Sequence, residues 1–192
     1  MKKELLLEQI ARTAYNVGFG AKKHFATYDI VEKLPGIIEF LSISIGVLAL
    51  VCDILNVKLI SAMLIIVGIS SIYISKYDKE KDSYNETGKK LLSIFERMKT
   101  LYNKVSENNN DSFIEENQKL QELQKQFHSI SISKQILFSN LFAHYKFFWE
   151  YKSNIEWIEK ELSLKLKDKI PLLDTLLIVG ILFFILICFI CN

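Results

Sequence analysis

Apolar positions follow two regimes along this chain. In one they recur every third or fourth residue, the spacing of an amphipathic helix. In the other they run almost without interruption. Leu7, Ile10, Ala14, Val17, Ala21 and Tyr28 keep helical spacing and predict an amphipathic helix over residues 1–35, ended by Pro35-Gly36. Leu91, Phe95, Met98, Tyr102 and Val105 form a second stripe. Leu120, Leu123, Phe127 and Ile130 form a third, set apart by the turn-forming run Asn108-Asn109-Asn110-Asp111. Leu137, Leu141, His144, Phe148, Tyr151, Ile155, Ile158 and Leu162 alternate threes and fours, as in the seam of a coiled coil or bundle. One helix from Ser133 to Asp168 would be roughly 50 Å long and would need partners from the same chain or from copies of it.

The unbroken blocks are Gly36 to Leu55, Val57 to Ser75 and Pro171 to Cys191. Their charged residues are Glu39 and Asp53 in the first, Lys58 in the second and Asp174 in the third. Each is about 20 residues, the length that crosses ~30 Å of hydrocarbon. Three such blocks exceed what the remaining polar sequence can bury, so all three are predicted to span a membrane. Asn56 is the one strong turn residue between the first two, which makes them a transmembrane hairpin with Asp53, Asn56 and Lys58 at its apex. The expected protein is all-α: a cytoplasmic amphipathic helix (1–35), a hairpin (36–75), a cytoplasmic helical or coiled-coil region (76–170) and a C-terminal transmembrane helix (171–192).

Charge distribution adds an orientation. Lys2, Lys3, Arg12, Lys22, Lys23 and Lys33 precede the hairpin; Lys76, Lys79 and Lys81 follow it; Lys160, Lys165, Lys167 and Lys169 precede the last block. Lys58 is the one basic residue at the apex. The positive-inside rule then places the N-terminus and the middle region in the cytoplasm, and the apex and C-terminus outside a bacterial inner membrane. The charged run from Lys2 to Glu8 does not read as a cleavable signal peptide. The net charge of +2, from 24 Lys+Arg and 22 Asp+Glu, is too balanced for a dedicated nucleic-acid binder, so no direct nucleic-acid binding is expected.

Candidate chemistry is sparse. HExxH, GxxxxGK[ST] and GxSxG are absent, so no catalytic residue, cofactor site or metal site is expected. His24, His128 and His144 lack metal spacing, and His144 lies on an apolar seam where a hydrogen-bonded core histidine is the simpler reading. Cys188 and Cys191 have CxxC spacing without the strand–helix context of a redox fold. They share their depth with Cys52, and both small membrane hydrophobes and a disulfide fit. The aromatic run Phe147 to Tyr151, with Trp157, fits helix packing better than a base-stacking platform, because Glu150, Glu156, Glu159 and Glu161 lie among it. Within the spans, Ser42, Gly46, Ser61 and Gly68 are small residues that fit either close helix approach or a weakly polar pore wall. Glu39, at the inner boundary, would form a negatively charged ring if repeated around an oligomer.

Arg12-Thr-Ala-Tyr-Asn16 and Gly20-Ala-Lys-Lys-His-Phe-Ala-Thr-Tyr-Asp-Ile30, directly before the hairpin, resemble the SLATT families, bacterial two-transmembrane proteins of conflict systems. The resemblance extends over about residues 5 to 165; the last apolar block departs from a two-span plan. It implies a membrane effector that oligomerises and breaches the inner membrane when a sensor partner detects phage. That partner would be a reverse transcriptase, a nucleotide-binding module or a synthase of cyclic-nucleotide signals. Arg12, Asn16, Lys22, Lys23 and His24 are then candidates for a regulatory cytoplasmic collar, and positive-inside anchoring is their simpler role. The alternative to a homo-oligomeric pore is a non-conducting membrane scaffold that holds a partner enzyme, with the long seam and the aromatic run as its docking surface. A membrane-bound enzyme is the least supported reading.

Overall fold

The computed structural model describes residues 2–52, 58–108 and 112–190, and over these the chain is helical with no strand. Helix α1 (Lys3–Ala49) is the spine. It is followed by α2 (Lys58–Ser75), a short 3-10 turn (Asp78–Glu80), α3 (Lys81–Glu107) and α4 (Ile114–Ile130). An extended segment over 131–138 leads to α5 (Ser139–Tyr145), a π-helical turn (Lys146–Glu150) and α6 (Lys152–Glu161). A 3-10 turn (Leu166–Lys169) then precedes α7 (Leu172–Ile190).

The predicted stripes become the core. Ile10, Ala14, Val17 and Ala21 of α1 are buried against Leu91, Phe95, Met98 and Val105 of α3, with Leu120 and Leu123 from α4. Burying a side chain of leucine or phenylalanine size is worth about 1.5–3 kcal/mol over leaving it exposed, so this cluster is the main source of stability. Helix α3 runs antiparallel to α1. Gly88 meets Phe25 near one end of the pair, and Lys3 Nζ donates to the Ser106 carbonyl at 2.7 Å near the other. Helix α4 returns along α3, with Arg97 donating to Gln126 at 2.8 Å and Gln124 to Thr13 at 3.0 Å. The π turn and α6 close the bundle with Phe147, Phe148, Ile155 and Ile158, so most of the aromatic run is packing. Trp149 is the one aromatic of that run that projects outward, 62% exposed.

Two expectations are corrected. Helix α1 does not end at Pro35-Gly36; the proline is internal. An internal proline removes one hydrogen bond and crowds the preceding turn, at about 3 kcal/mol, and packing of the N-terminal part of α1 against α3 and α5 holds the helix through it. What changes near Pro35 is environment: Val31 is the last buried residue of α1. The long seam is likewise not one helix. Phe138 adopts φ 65°, α5 gives way to a π turn, and Ser163 adopts φ 49° before the chain doubles back. The folded-back pieces find their partners within the chain, which removes the need for a free coiled coil. The apolar blocks take different forms. Among the described residues one stretch, Ile60–Glu107, contains a window long and apolar enough to cross a membrane, and Asp174–Phe183 is a shorter apolar run. The first block is the continuation of α1. Asp53 and Asn56 of the expected apex, and Asn109 to Asp111 of the expected turn, lie outside the described residues.

Beyond Val31, α1 runs antiparallel beside α2. Ile38, Leu41, Ser42 and Ile45 face Ile60, Met63, Leu64 and Val67 across a cavity of about 280 Å3. These two helices therefore touch loosely. Only 11% of the apolar window that includes α2 is buried. Phe40, Ile43, Ile66, Ile69, Ile72, Leu176 and Phe183 all stand outward. Contiguous apolar exposure of this kind marks a surface made for lipid or for another protein.

Candidate functional site

The best-organised polar cluster lies where the bundle meets the apolar helices. The segment 131–138 has no helix or strand partner for its backbone, and buried peptide groups must be satisfied. Side chains from three helices do this. His24 of α1 donates from Nδ1 to the Gly20 carbonyl (2.7 Å), which leaves Nε2 as an acceptor. The Ile132 amide (3.1 Å) and the Gln135 Nε2 (3.2 Å) both donate to it. Gln135 Nε2 also donates to the Ile132 carbonyl, and its Oε1 accepts from the Thr27 hydroxyl at 2.6 Å. Tyr84 of α3 donates to the Lys134 carbonyl at 2.9 Å, and the Tyr73 hydroxyl of α2 accepts from the Leu137 amide at 3.3 Å. Beneath this latch, Ile30, Val31, Ile74, Tyr77, Tyr84 and Ile136 form a second small core. The latch thus ties α1, α2 and α3 to one segment.

Burial pushes the His24 pKa down, the neighbouring Lys23 charge adds to this, and the bond to the Gly20 carbonyl opposes it. The neutral ring is the form the latch uses. A histidine whose folded pKa lies below its ordinary value of about 6.5 contributes fully above that value and loses the contribution as pH falls through the folded pKa. Protection of the Ile132 amide against hydrogen exchange, corrected for the intrinsic rate, is therefore expected to fall as the pH is lowered below about 6.5. Constant protection over that range would show that His24 carries no such load. His144 is also lowered by burial; its Nδ1 donates to the Lys169 carbonyl at 3.3 Å and its ring packs edge-on against Phe19.

The candidate collar residues do not form one ring of charge. Arg12 is exposed and pairs with Glu8 at 2.7 Å, a surface contact worth at most about 1 kcal/mol. Asn16 is exposed. Lys22 lies over the Tyr151 ring at 3.7 Å, and burial lowers its pKa. Tyr151 in turn donates to Glu96 at 2.9 Å, so Lys22 helps hold α6 to the bundle. Lys23 lines a polar cavity with Gln135, Asn140 and Asp174. His24 is buried in the latch. Five neighbours in sequence thus face four different surroundings, as 3.6 residues per turn requires.

In the apolar half, Glu39 and Ser61 are exposed and Ser42 lines the α1–α2 cavity. A side chain at Gly46 or Gly68 would meet nothing within 4 Å, so neither glycine serves close packing within the chain. Asp53 lies outside the described residues. Cys52 is exposed and free, Cys191 lies outside the described residues, and so does the side chain of Cys188. Among the described residues no group of three or more His, Cys, Asp and Glu could hold a metal ion. The latch residues Thr27, Tyr73, Tyr84 and Gln135 carry no sequence motif. Their one signal is Ser131-Ile-Ser133, whose serines and β-branched isoleucine are poor helix formers.

No curated protein and no solved structure matches the chain. A family model does: residues 1–179 match "SMODS and SLOG-associating 2TM effector domain 6". The match spans the bundle, the latch, α2 and the first part of α7, so the chain belongs to this SLATT family of two-transmembrane effector domains from conflict systems.

Proposed function

We propose that this chain is a homo-oligomeric membrane effector that permeabilises or depolarises the bacterial inner membrane during phage defence, and that it does so without catalysing a reaction. The observation that carries this reading is the apolar surface of α2, α7 and the distal part of α1, which one copy leaves uncovered. Lipid covers it in part. The loose α1–α2 contact and the open Gly46 and Gly68 positions leave room for helices from other copies. The described helices accommodate the expected topology: α1 and α2 as a membrane hairpin, α7 as a further span, and the bundle on the cytoplasmic side.

The trigger acts on the bundle. A ligand or partner shifts the equilibrium only by binding one arrangement better than another. The latch gives such a binder its lever, because it fixes segment 131–138 to α1, α2 and α3 at once. A signalling partner from the same defence locus, a cyclic-nucleotide synthase or a reverse transcriptase, would supply the trigger. The scaffold alternative draws on the outward-facing Phe142, Tyr145 and Trp149, which would dock the partner.

Membrane potential separates the two. Cells carrying the chain with its neighbouring genes are expected to depolarise within minutes of phage challenge, read with a potential-sensitive dye. Gly46→Leu is expected to abolish the response by blocking helix approach. Glu39→Gln is expected to keep depolarisation while lowering cation preference in reconstituted vesicles. Protection with an intact potential would overturn the pore and favour the scaffold.

A further inference from the structure

Two adjoining cavities open where α1, α2, α5, α7 and segment 131–138 converge. The larger, about 350 Å3, is walled chiefly by Ile30, Leu34, Ile74, Leu141, Phe142 and Ile178. That volume falls in the ~300–1,000 Å3 range of small-molecule sites. The smaller, about 270 Å3, carries Lys23, Gln135, Ser139, Asn140 and Asp174. Tyr73, Ile136, Leu137 and Phe138 line both, so an apolar space and a polar space share one wall.

Phe138, in that wall, is held at φ 65°. A bulky side chain with positive φ is a backbone outlier, and such strain concentrates at ligand clamps and switches. The charges of the polar space are also distinctive. Lys23 and Asp174 line it together, yet among the described residues neither belongs to an ion pair within 4.0 Å. One carboxylate oxygen of Asp174 accepts from Asn140 at 2.8 Å, which fixes its position. The Gln135 side chain is already committed to the latch.

We propose that the paired cavities bind one phospholipid of the surrounding bilayer. An acyl chain fills the apolar space, the phosphate meets Lys23, and the ammonium of a phosphatidylethanolamine headgroup meets Asp174. The fit is chemical. The apolar wall includes α2 and α7, whose outer faces are apolar, so a chain from the bilayer reaches it without crossing water. One cation and one anion in the adjoining space match a zwitterion, and free phosphate would leave both Asp174 and the apolar cavity unmatched. The occupant lies against segment 131–138, so lipid occupancy and latch closure act on each other. The inference rests on the membrane reading above.

The test is native mass spectrometry of the full chain, extracted from membranes in detergent and titrated with palmitoyl-oleoyl phosphatidylethanolamine or the corresponding phosphatidylglycerol. The wild-type chain is expected to retain phosphatidylethanolamine preferentially. Ile178→Trp, which fills the apolar space, and Lys23→Ala, which removes the phosphate partner, are each expected to lower retention about tenfold, for Lys23→Ala the effect of losing one charge-assisted contact. Asp174→Asn keeps an acceptor for Asn140 and is expected to abolish only the preference over phosphatidylglycerol. Circular dichroism checks that the helices persist; should Ile178→Trp lose them, the two polar variants decide. Equal retention by wild type and variants, with the chain in the membrane fraction, overturns the site and spares the membrane reading. A chain found in the soluble fraction overturns both.

Discussion

Gly18→Val is expected to prevent the helical bundle from assembling. A Cβ at this position would sit 2.8 Å from Phe95 Cδ2 and 2.9 Å from Phe147 Cε2. Both rings are fully buried, and each is braced by others: Phe147 by Tyr15 and Phe19, Phe95 by Tyr151 and Trp157. Neither can swing away without disturbing the packing of α6 on α1. Overpacking a close-packed core costs about 1–3 kcal/mol, and valine's two further methyl groups on a site flanked by two rings put this change at the upper end or above it. The measurement is thermal unfolding in detergent by circular dichroism, with the yield in membranes alongside. Gly88→Val supplies the comparison. Its Cβ would meet the ring of Phe25 at 2.8 Å, but Phe25 is only partly buried and has room to turn, so a smaller loss is expected. Equal melting temperatures for wild type and Gly18→Val would show that the two rings yield together.

The second large effect is expected at His24. His24→Leu keeps the volume and removes the acceptor. The Ile132 amide and the Gln135 side chain then lose their shared partner in a partly buried site, at about 1–3 kcal/mol for each unsatisfied group. The global fold is expected to survive, since the larger core does not include His24. Segment 131–138 is expected to detach from α1. Cells expressing this variant without phage challenge are then expected to lose membrane potential, because the restraint on α2 is released. A variant that folds, holds the potential at rest and still answers phage would remove the latch from the mechanism.

Much of the fold could be read in the sequence where one physical signal dominated. Ile10, Ala14 and Val17, and Leu91, Phe95 and Met98, are buried because helical periodicity and burial share one cause. The seam from Leu137 to Leu162 misled for the same reason. Its period is helical, but Ser139 to Glu161 wraps around α1 with a π turn, which shifts the packing face by one residue. Pro35 misled in the opposite direction, since a local rule for breaking helices yielded to the packing of α1 that precedes it. The latch was almost illegible. His24 stood out through its neighbours in a basic stretch, and its role depends on Gln135, 111 residues away. Such a contact leaves no periodic trace, so only the folded chain brings it into view.

The continuity of α1 through Pro35 has a geometric corollary. A helix advances about 100° per residue, so the nine steps from Ile30 to Glu39 amount to about 900°, two full turns and a half. Ile30 and Glu39 therefore point to opposite sides of one shaft. While Ile30 is seated in the small core, Glu39 is turned away from the side where that core lies. An axial twist that carried the carboxylate round toward that side would, without an intervening joint, drag Ile30 out of its seat. The two placements are in antiphase: seating Ile30 in the small core and turning Glu39 toward that side cannot be satisfied together, and the exchange of one for the other is a rotation rather than a bend.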